Sequence, residues 1–462
     1  MAEQQTQIEA ASAVDEALTE RVRAAMARWH IPGATVGILA DGARREQGFG
    51  IVSLETEYAV RADTLFQIGS ITKLFTATLV MLLVEEGKLA LDTPVTTYLP
   101  ELKLADADAQ ARITLRMLLS HTAGFFGDFF DDFGPGDDAL SAYIARLHTL
   151  EQQTPPGESW AYNNAGFCLA GAIIERVTGA RYEQAVRERI FKPLGMTRSF
   201  LFAHEAIAYP NAVGHTQKTP RGEEHEVARL YPLPRAVNAA GGIISTVDDL
   251  LTFAQFQLDG GVTRDGQRLL SEETIRAMWQ PQIKAANFAE AYGIGWETRE
   301  IDGVRLIGHG GSTNGFNARL TIIPERNFAI AILTNSGRGS AMYGEVIEAE
   351  LQERFGLREP KPQPISLPQE ALARLAGSYI QPDERVTLTA TADGLRVEIT
   401  AHDVLNDKDE TYPPQDLRPI SPAEFIVVTP GEDIDARIDF LLDDDAHPRY
   451  VRIGGRLAKR AE

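Results

Sequence analysis

The chain has 462 residues, more than one ordinary core supports, so two or three domains are expected. Its 44% hydrophobic and 24% charged residues are the proportions of a soluble globular protein. The net charge of −20 argues against a nucleic-acid or anionic-membrane partner, because both would repel such a surface.

The N-terminal stretch MAEQQTQIEAASAVDEALTERV has neither the basic nor the apolar region of an export signal, and a cytoplasmic location is expected. Leu18, Val22, Met26 and Trp29 recur at helical spacing and predict an amphipathic helix. GATVGILADGARREQGFGIVS predicts a β-hairpin. Ala34, Val36 and Ile38 alternate, and Asp41-Gly42 supplies the turn. The apolar run around Leu74 to Val84 is too short to span a bilayer. RITLRMLLSHTAGF, NNAGFCLAGAIIERVTGA and STVDDLLTFAQFQLDGG predict further helices, each ending at or near Gly. The one cysteine, Cys168, excludes an internal disulfide and reads as a small buried hydrophobe.

Strand patterning returns at YGIGWETREIDGVRLIGHGGS. FNARLTIIPERNFAIAILTNS predicts a second hairpin turning near Pro324 to Asn327, and a helix over Tyr343 to Phe355 follows. Strands at both ends with helices between imply one sheet assembled from both ends, interrupted by a helical insertion over roughly 75–290. This sheet-and-helix unit is expected over 12–356. GLREPKPQPISLPQE carries four prolines and reads as a linker over 357–370. Short alternating segments with Asp/Gly turns then predict a small all-β domain over 371–462.

Three motifs carry chemistry. Ser70 and Lys73 lie three apart at the front of a very apolar helix, so they share a face, and the amine can reach the hydroxyl. Alone, the pair also suits a helix cap and a solvated lysine. Tyr162 and Asn164 sit between a Pro-Gly turn and a buried helix. A lysine ammonium beside the phenol would stabilise its phenolate and make it a candidate base, while Asn164 could hold the lysine or a substrate amide. The bland alternative is a satisfied buried Tyr and a capping Asn. His309-Gly310-Gly311-Ser312 offers a strand edge that can approach a substrate closely, or simply a glycine-rich turn.

Taken in order, Ser70-x-x-Lys73, Tyr162-x-Asn164 and His309-Gly310-Gly311 resemble the serine β-lactamase and penicillin-binding-protein-like superfamily. The Tyr-x-Asn form is similar to class C β-lactamases, D-amino-acid-directed serine peptidases and β-lactamase-like esterases. LLSHTAGF, KPLGMTRS and AAGGIISTVDDLLTF add to the likeness. The resemblance implies an antiparallel sheet flanked by helices with an all-helical subdomain. LARLAGSYI resembles the opening of an appended lipocalin-like barrel. It further implies Ser70 as nucleophile, Lys73 and Tyr162 sharing the proton transfers, Asn164 orienting, and an oxyanion hole from the N–H groups of Ser70 and Ser312. His309 stands where β-lactamases usually carry Lys. A largely neutral His suits a substrate carboxylate less well, which favours a peptidase- or esterase-like relative. No metal or organic cofactor is implied.

The expected function is therefore acyl-enzyme hydrolysis of an amide or ester in a small or short-peptide substrate. The alternatives are a class C-type β-lactamase, a DD-carboxypeptidase, and a catalytically silent sensor. The oligomeric state is left open. GFFGDFFDDFGPGDD, with Phe125, Phe126 and Asp128, is expected near the cleft as an apolar wall with an acidic lip. Gly310 and Gly311 are expected against the substrate.

Overall fold

The computed structural model describes residues 14–461, apart from 41, 220–221, 287, 383, 404–407 and 429–435. Asp41 of the expected hairpin turn lies outside the described residues. Helix α1 (Glu16–Trp29) starts at Asp15, whose carboxylate accepts the Leu18 N–H at 2.9 Å. Its apolar stripe is buried as the spacing predicts, with Ala25 joining Leu18, Val22, Met26 and Trp29.

The hairpin β1 (Gly33–Ala40) and β2 (Ala43–Gly50) forms as expected. The long apolar run becomes α2 (Thr72–Glu85), buried continuously from Thr72 to Leu83. A helix that is apolar all round belongs in a core. Phe75 stacks on Phe253 at 4.1 Å and meets Phe191 edge-on at 5.8 Å. Three more helices surround α2: α3 (Leu115–Leu119), α4 (Asn164–Thr178) and α5 (Val247–Leu258). Helix α3 is shorter than its sequence pattern, because the chain turns sharply at His121, where φ is 59°. Cys168 is fully buried in α4, as expected.

The sheet continues with β3 (Ile283–Lys284), β4 (Ala291–Tyr292), β5 (Glu297–Ile301), β6 (Val304–Thr313), β7 (Phe316–Ile323) and β8 (Phe328–Thr334). Its order is β2-β1-β8-β7-β6-β5-β4-β3. Early β1 thus pairs with late β8, Val36 facing Ile332, and the sheet is built from both ends of the unit. One face packs on α1 and α6 (Gly339–Phe355), the other on the helical region. Helix α6 begins four residues before its expected start.

Beyond an extended segment, α7 (Gln369–Leu375) places Leu372 and Leu375 in the core of a closed barrel. Its strands are β9 (Gly377–Ile380), β10 (Glu384–Ala390), β11 (Leu395–Asp403), β12 (Lys408–Thr411), β13 (Gln415–Pro419), β14 (Glu424–Val428), β15 (Arg437–Leu442), β16 (Pro448–Ile453) and β17 (Arg456–Arg460). The order β10-β9-β17-β16-β15-β14-β13-β11 closes through β10–β11 pairing, with β12 added outside on β11. Closure leaves the ring no open edge. Among the described residues no helix is long and apolar enough to cross a membrane.

Phe75→Ala should cost about 3–5 kcal/mol of stability, because the hole beside Phe253 cannot refill. Urea unfolding followed by tryptophan fluorescence measures this, and a wild-type curve would mean that the α2 core tolerates the void.

Candidate active site

Ser70 lies in a single 3-10 turn, Gly69–Ile71, that leads directly into α2. Lys73, one turn on, has no exposed surface. Its Nζ lies 3.0 Å from Ser70 Oγ, 2.7 Å from Asn164 Oδ1 and 2.7 Å from the Ala240 carbonyl. The last two partners can only accept. A neutral amine has two N–H bonds and one lone pair, so the two carbonyl oxygens take the hydrogens and the lone pair faces the Ser70 hydroxyl. Burial pulls the Lys73 pKa down to about 7; Cys168 and Asp128 oppose this, and the Arg456 guanidinium reinforces it.

Asn164 is held at both ends. Its Nδ2 donates at 2.6 Å to Asp128 Oδ1, which fixes the carbonyl end toward Lys73. The other Asp128 oxygen accepts from Arg456 Nε at 2.8 Å. The capping role expected of an Asn falls to its neighbour: Asn163 Oδ1 accepts the Gly166 N–H at 2.6 Å.

Arg456 comes from the barrel. It follows the tight turn joining β16 and β17, where Gly454 and Gly455 both have positive φ, 53° and 83°. Such a turn needs glycine. A Cβ on Gly455 would also stand only 2.9 Å from the Trp160 ring. Gly455 O accepts the Tyr162 N–H at 2.9 Å, and the Arg456 guanidinium lies 4.5 Å from the Tyr162 ring centre.

Tyr162 is buried, and its ring centre lies 4.9 Å from Lys73 Nζ. Burial raises its pKa; the Arg456 guanidinium and the nearby Ser70 hydroxyl act against this without reversing it. The expected phenolate beside an ammonium is therefore not the favoured pairing. Both groups are desolvated, and each is driven toward its neutral form.

The strand-edge motif lies on β6. Gly311 packs against the Ser70 turn so tightly that a Cβ there would strike Ile68 O and stand 3.1 Å from Ser70 N. The backbones of Ser70 and Ser312 therefore border one space. His309 is buried, and both its nitrogens have protein partners: Nδ1 meets Gly310 O at 2.5 Å, and Nε2 meets Tyr292 Oη at 2.8 Å. Burial lowers its pKa to about 4, although the neighbouring Glu297 carboxylate pulls the other way.

Ser70, Tyr162, Asn164 and the His309–Ser312 edge all open onto one cleft of about 2240 Å³. The aromatic loop after Phe125 serves two ends. Phe129 and Phe133 pack on Tyr143, at 4.9 and 5.9 Å, which anchors the loop. Phe126, Phe129, Phe130 and Phe133 also line the cleft. Phe125 does not share this position: it is only 2% exposed and packs into the core. Asp128 borders the cleft, but both its oxygens are engaged internally, leaving Asp131 and Asp132 as the acidic part of the lip. Among the described residues no group of three or more His, Cys, Asp or Glu is placed to hold a metal ion.

A family profile described as Beta-lactamase matches residues 18–352. The chain belongs to this family. Penicillin-binding protein 4 of Amycolatopsis lactamdurans is 35% identical over 372 residues, covering 78% of this chain and 96% of its own. The crystal structure of SurE is similar at a TM-score of 0.76 and 28% identity, over 96% of this chain and 98% of that one. A coverage that wide includes the barrel. The D-amino acid amidase of Ochrobactrum anthropi SV3 aligns at a TM-score of 0.62 and 25% identity, over 74% of this chain and 100% of its own.

Within this Beta-lactamase-family site, Arg456 is a residue that sequence reasoning missed. It stands 328 positions from Asp128, in an unremarked β-turn, and only the Gly454-Gly455 pair signals a tight approach. Asp128→Asn should let the Asn164 amide turn over and slow labelling of Ser70 by a serine-directed probe about tenfold or more. Arg456→Ala should act through the same contact, so the double variant should be no slower than the slower single one. Labelling time courses by intact-mass spectrometry measure both; additive losses would break the proposed linkage.

Proposed function

We propose that the protein is a serine hydrolase that forms an acyl-enzyme at Ser70 and hydrolyses amide or ester bonds in peptidic substrates. The observation that carries this reading is the buried Lys73 amine 3.0 Å from Ser70 Oγ, with two carbonyl oxygens at 2.7 Å to take its hydrogens.

In the proposed sequence, Ser70 Oγ attacks the substrate carbonyl carbon as its proton passes to Lys73 Nζ. The carbonyl oxygen takes up negative charge beside the backbone N–H groups of Ser70 and Ser312. As the tetrahedral centre collapses, the Tyr162 hydroxyl protonates the leaving nitrogen or oxygen, and the Lys73 ammonium returns a proton to the phenol. Water then attacks the acyl-enzyme by the reverse path: its proton passes by way of the Tyr162 hydroxyl to Lys73, which returns a proton to Ser70 Oγ as the acyl group leaves.

The size of the cleft supports a substrate larger than a simple ester. Pockets for drug-sized ligands occupy roughly 300–1,000 Å³, and this cleft exceeds that range. Its aromatic wall supports an apolar side chain on the substrate. The Ochrobactrum relative is a D-amino acid amidase, which makes D-amino-acyl amides the first class to assay. A neutral, internally bonded His309 offers no cation to a substrate carboxylate, which counts against the β-lactamase alternative.

A panel of D- and L-aminoacyl amides, peptidyl amides with an aromatic residue, short aryl esters and a chromogenic cephalosporin tests the assignment. Wild type should turn over amides or esters, with Ser70→Ala at least about 1,000-fold slower. Faster cephalosporin than amide hydrolysis would shift the assignment to a β-lactamase, and no acylation of Ser70 by any member would refute it. The pH profile is a separate check. Protonation removes the Lys73 lone pair, so log kcat/KM should fall with unit slope below about pH 7 and level off above it. A profile flat down to pH 5 would exclude Lys73 as the base.

A further inference from the structure

Beneath Tyr162 lies a second set of polar groups that the proposed proton transfers do not use. His121 is fully buried, with its backbone in the left-handed region at φ 59°. Histidine holds that conformation where surrounding structure dictates it, and such positions concentrate at functional sites. The surroundings here are aromatic. The imidazole centre stands 4.3 Å from the Tyr162 ring, 4.7 Å from Tyr292 and 5.2 Å from Phe167. The phenol of Tyr162 therefore rests on the face of His121.

The ring nitrogens can be read in order from their partners. His121 Nδ1 accepts the Asn163 N–H at 2.9 Å, so the proton of a neutral ring sits on Nε2. That Nε2 lies 3.2 Å from Tyr292 Oη and donates to it. At the other end, His309 Nδ1 meets the Gly310 carbonyl, which only accepts, so Nδ1 carries the proton there. His309 Nε2 is then a bare acceptor, 2.8 Å from Tyr292 Oη. The single Tyr292 proton goes to it, with the Gly295 carbonyl at 3.2 Å the longer alternative. Burial keeps both imidazoles neutral. Reversing either tautomer would set two lone pairs or two protons face to face.

We propose that His121 and Tyr292 are positioning residues for the Ser70 centre: the one-way chain Asn163 to His121 to Tyr292 to His309 to Gly310 clamps the Tyr162 segment to the β6 edge. Asn163 lies between Tyr162 and Asn164 in sequence, and Gly310 is two residues from Ser312. The chain thus sets the spacing between the phenol and the strand-edge oxyanion donor. These two elements come from distant parts of the sequence, and no covalent link holds them in register. The inference rests on the serine hydrolase reading for its effect on rate, while the chain itself can be tested without any substrate.

The test has two arms. Long-range 15N–1H NMR of histidine-labelled full-length protein at pH 7 reads each tautomer, with His121→Gln and His309→Gln used to assign the signals. The expected result is His121 protonated on Nε2 alone and His309 on Nδ1 alone. Any other pattern overturns the chain. In the second arm, Tyr292→Phe keeps the ring but removes the link. On an amide or ester that wild type hydrolyses, kcat should fall about 10- to 100-fold with KM within about twofold. Both histidine signals should shift in the same variant. Unchanged kcat, or a loss matched by fewer folded molecules in thermal melts, overturns the positioning role. A wild type with the expected tautomers but no acylation of Ser70 would instead sink the hydrolase reading and leave the chain standing.

Discussion

An amine with no solvent contact, surrounded by two carbonyl oxygens and a hydroxyl, is the constraint around which this site is organised. Among the described residues no carboxylate hydrogen-bonds Lys73. Full charge in that position would be poorly compensated, so the neutral form becomes accessible near pH 7. Every surrounding element contributes to sealing it. Helix α2 carries it into the core, α4 supplies Asn164, and the short helix Asn238–Gly241 supplies the Ala240 carbonyl. Had the helix front been solvated, the lysine would be a permanent cation.

The seal extends across the two domains. The β16–β17 turn of the barrel reaches the segment just before α4, where Gly455 accepts the Tyr162 N–H and Arg456 pairs with Asp128. Further along, Tyr450 Oη donates to Gln153 O at 2.7 Å, and Gln153 Nε2 donates to Leu457 O at 3.0 Å. Ala161, Tyr450 and Leu457 share a small buried cluster. The barrel is therefore more than an appended module: it completes the hydrogen bonding of the residues that orient Asn164. The guanidinium over Tyr162 also disfavours the charged lysine.

The aromatic loop shows how anchoring and lining coexist. Phe125 is spent on the core, and Phe129 and Phe133 grip Tyr143. The same rings present their remaining surface to the cleft, joined by Phe130, which is 47% exposed. The acidic residues between them divide in the same way, Asp128 serving the interior and Asp131 and Asp132 the lip.

What the sequence determined by itself is local or periodic. Ser70 and Lys73 lie within one turn, so their contact follows from helix geometry, and the apolar text around them announces burial. The hairpins, the sheet drawn from both ends of the first unit and the all-β C-terminal domain follow from alternation and turn residues. Tyr162, Asn164 and His309 were legible only through the order of their motifs. Tertiary structure decided the rest. Which of two adjacent Asn side chains caps α4, and which faces Lys73, depends on Asp128 and Arg456, brought together across 328 positions. The protonation states of Lys73, Tyr162 and His309 depend on how much water the packed site excludes. Desolvation and long-range pairing belong to the assembled volume, and no window of sequence contains them.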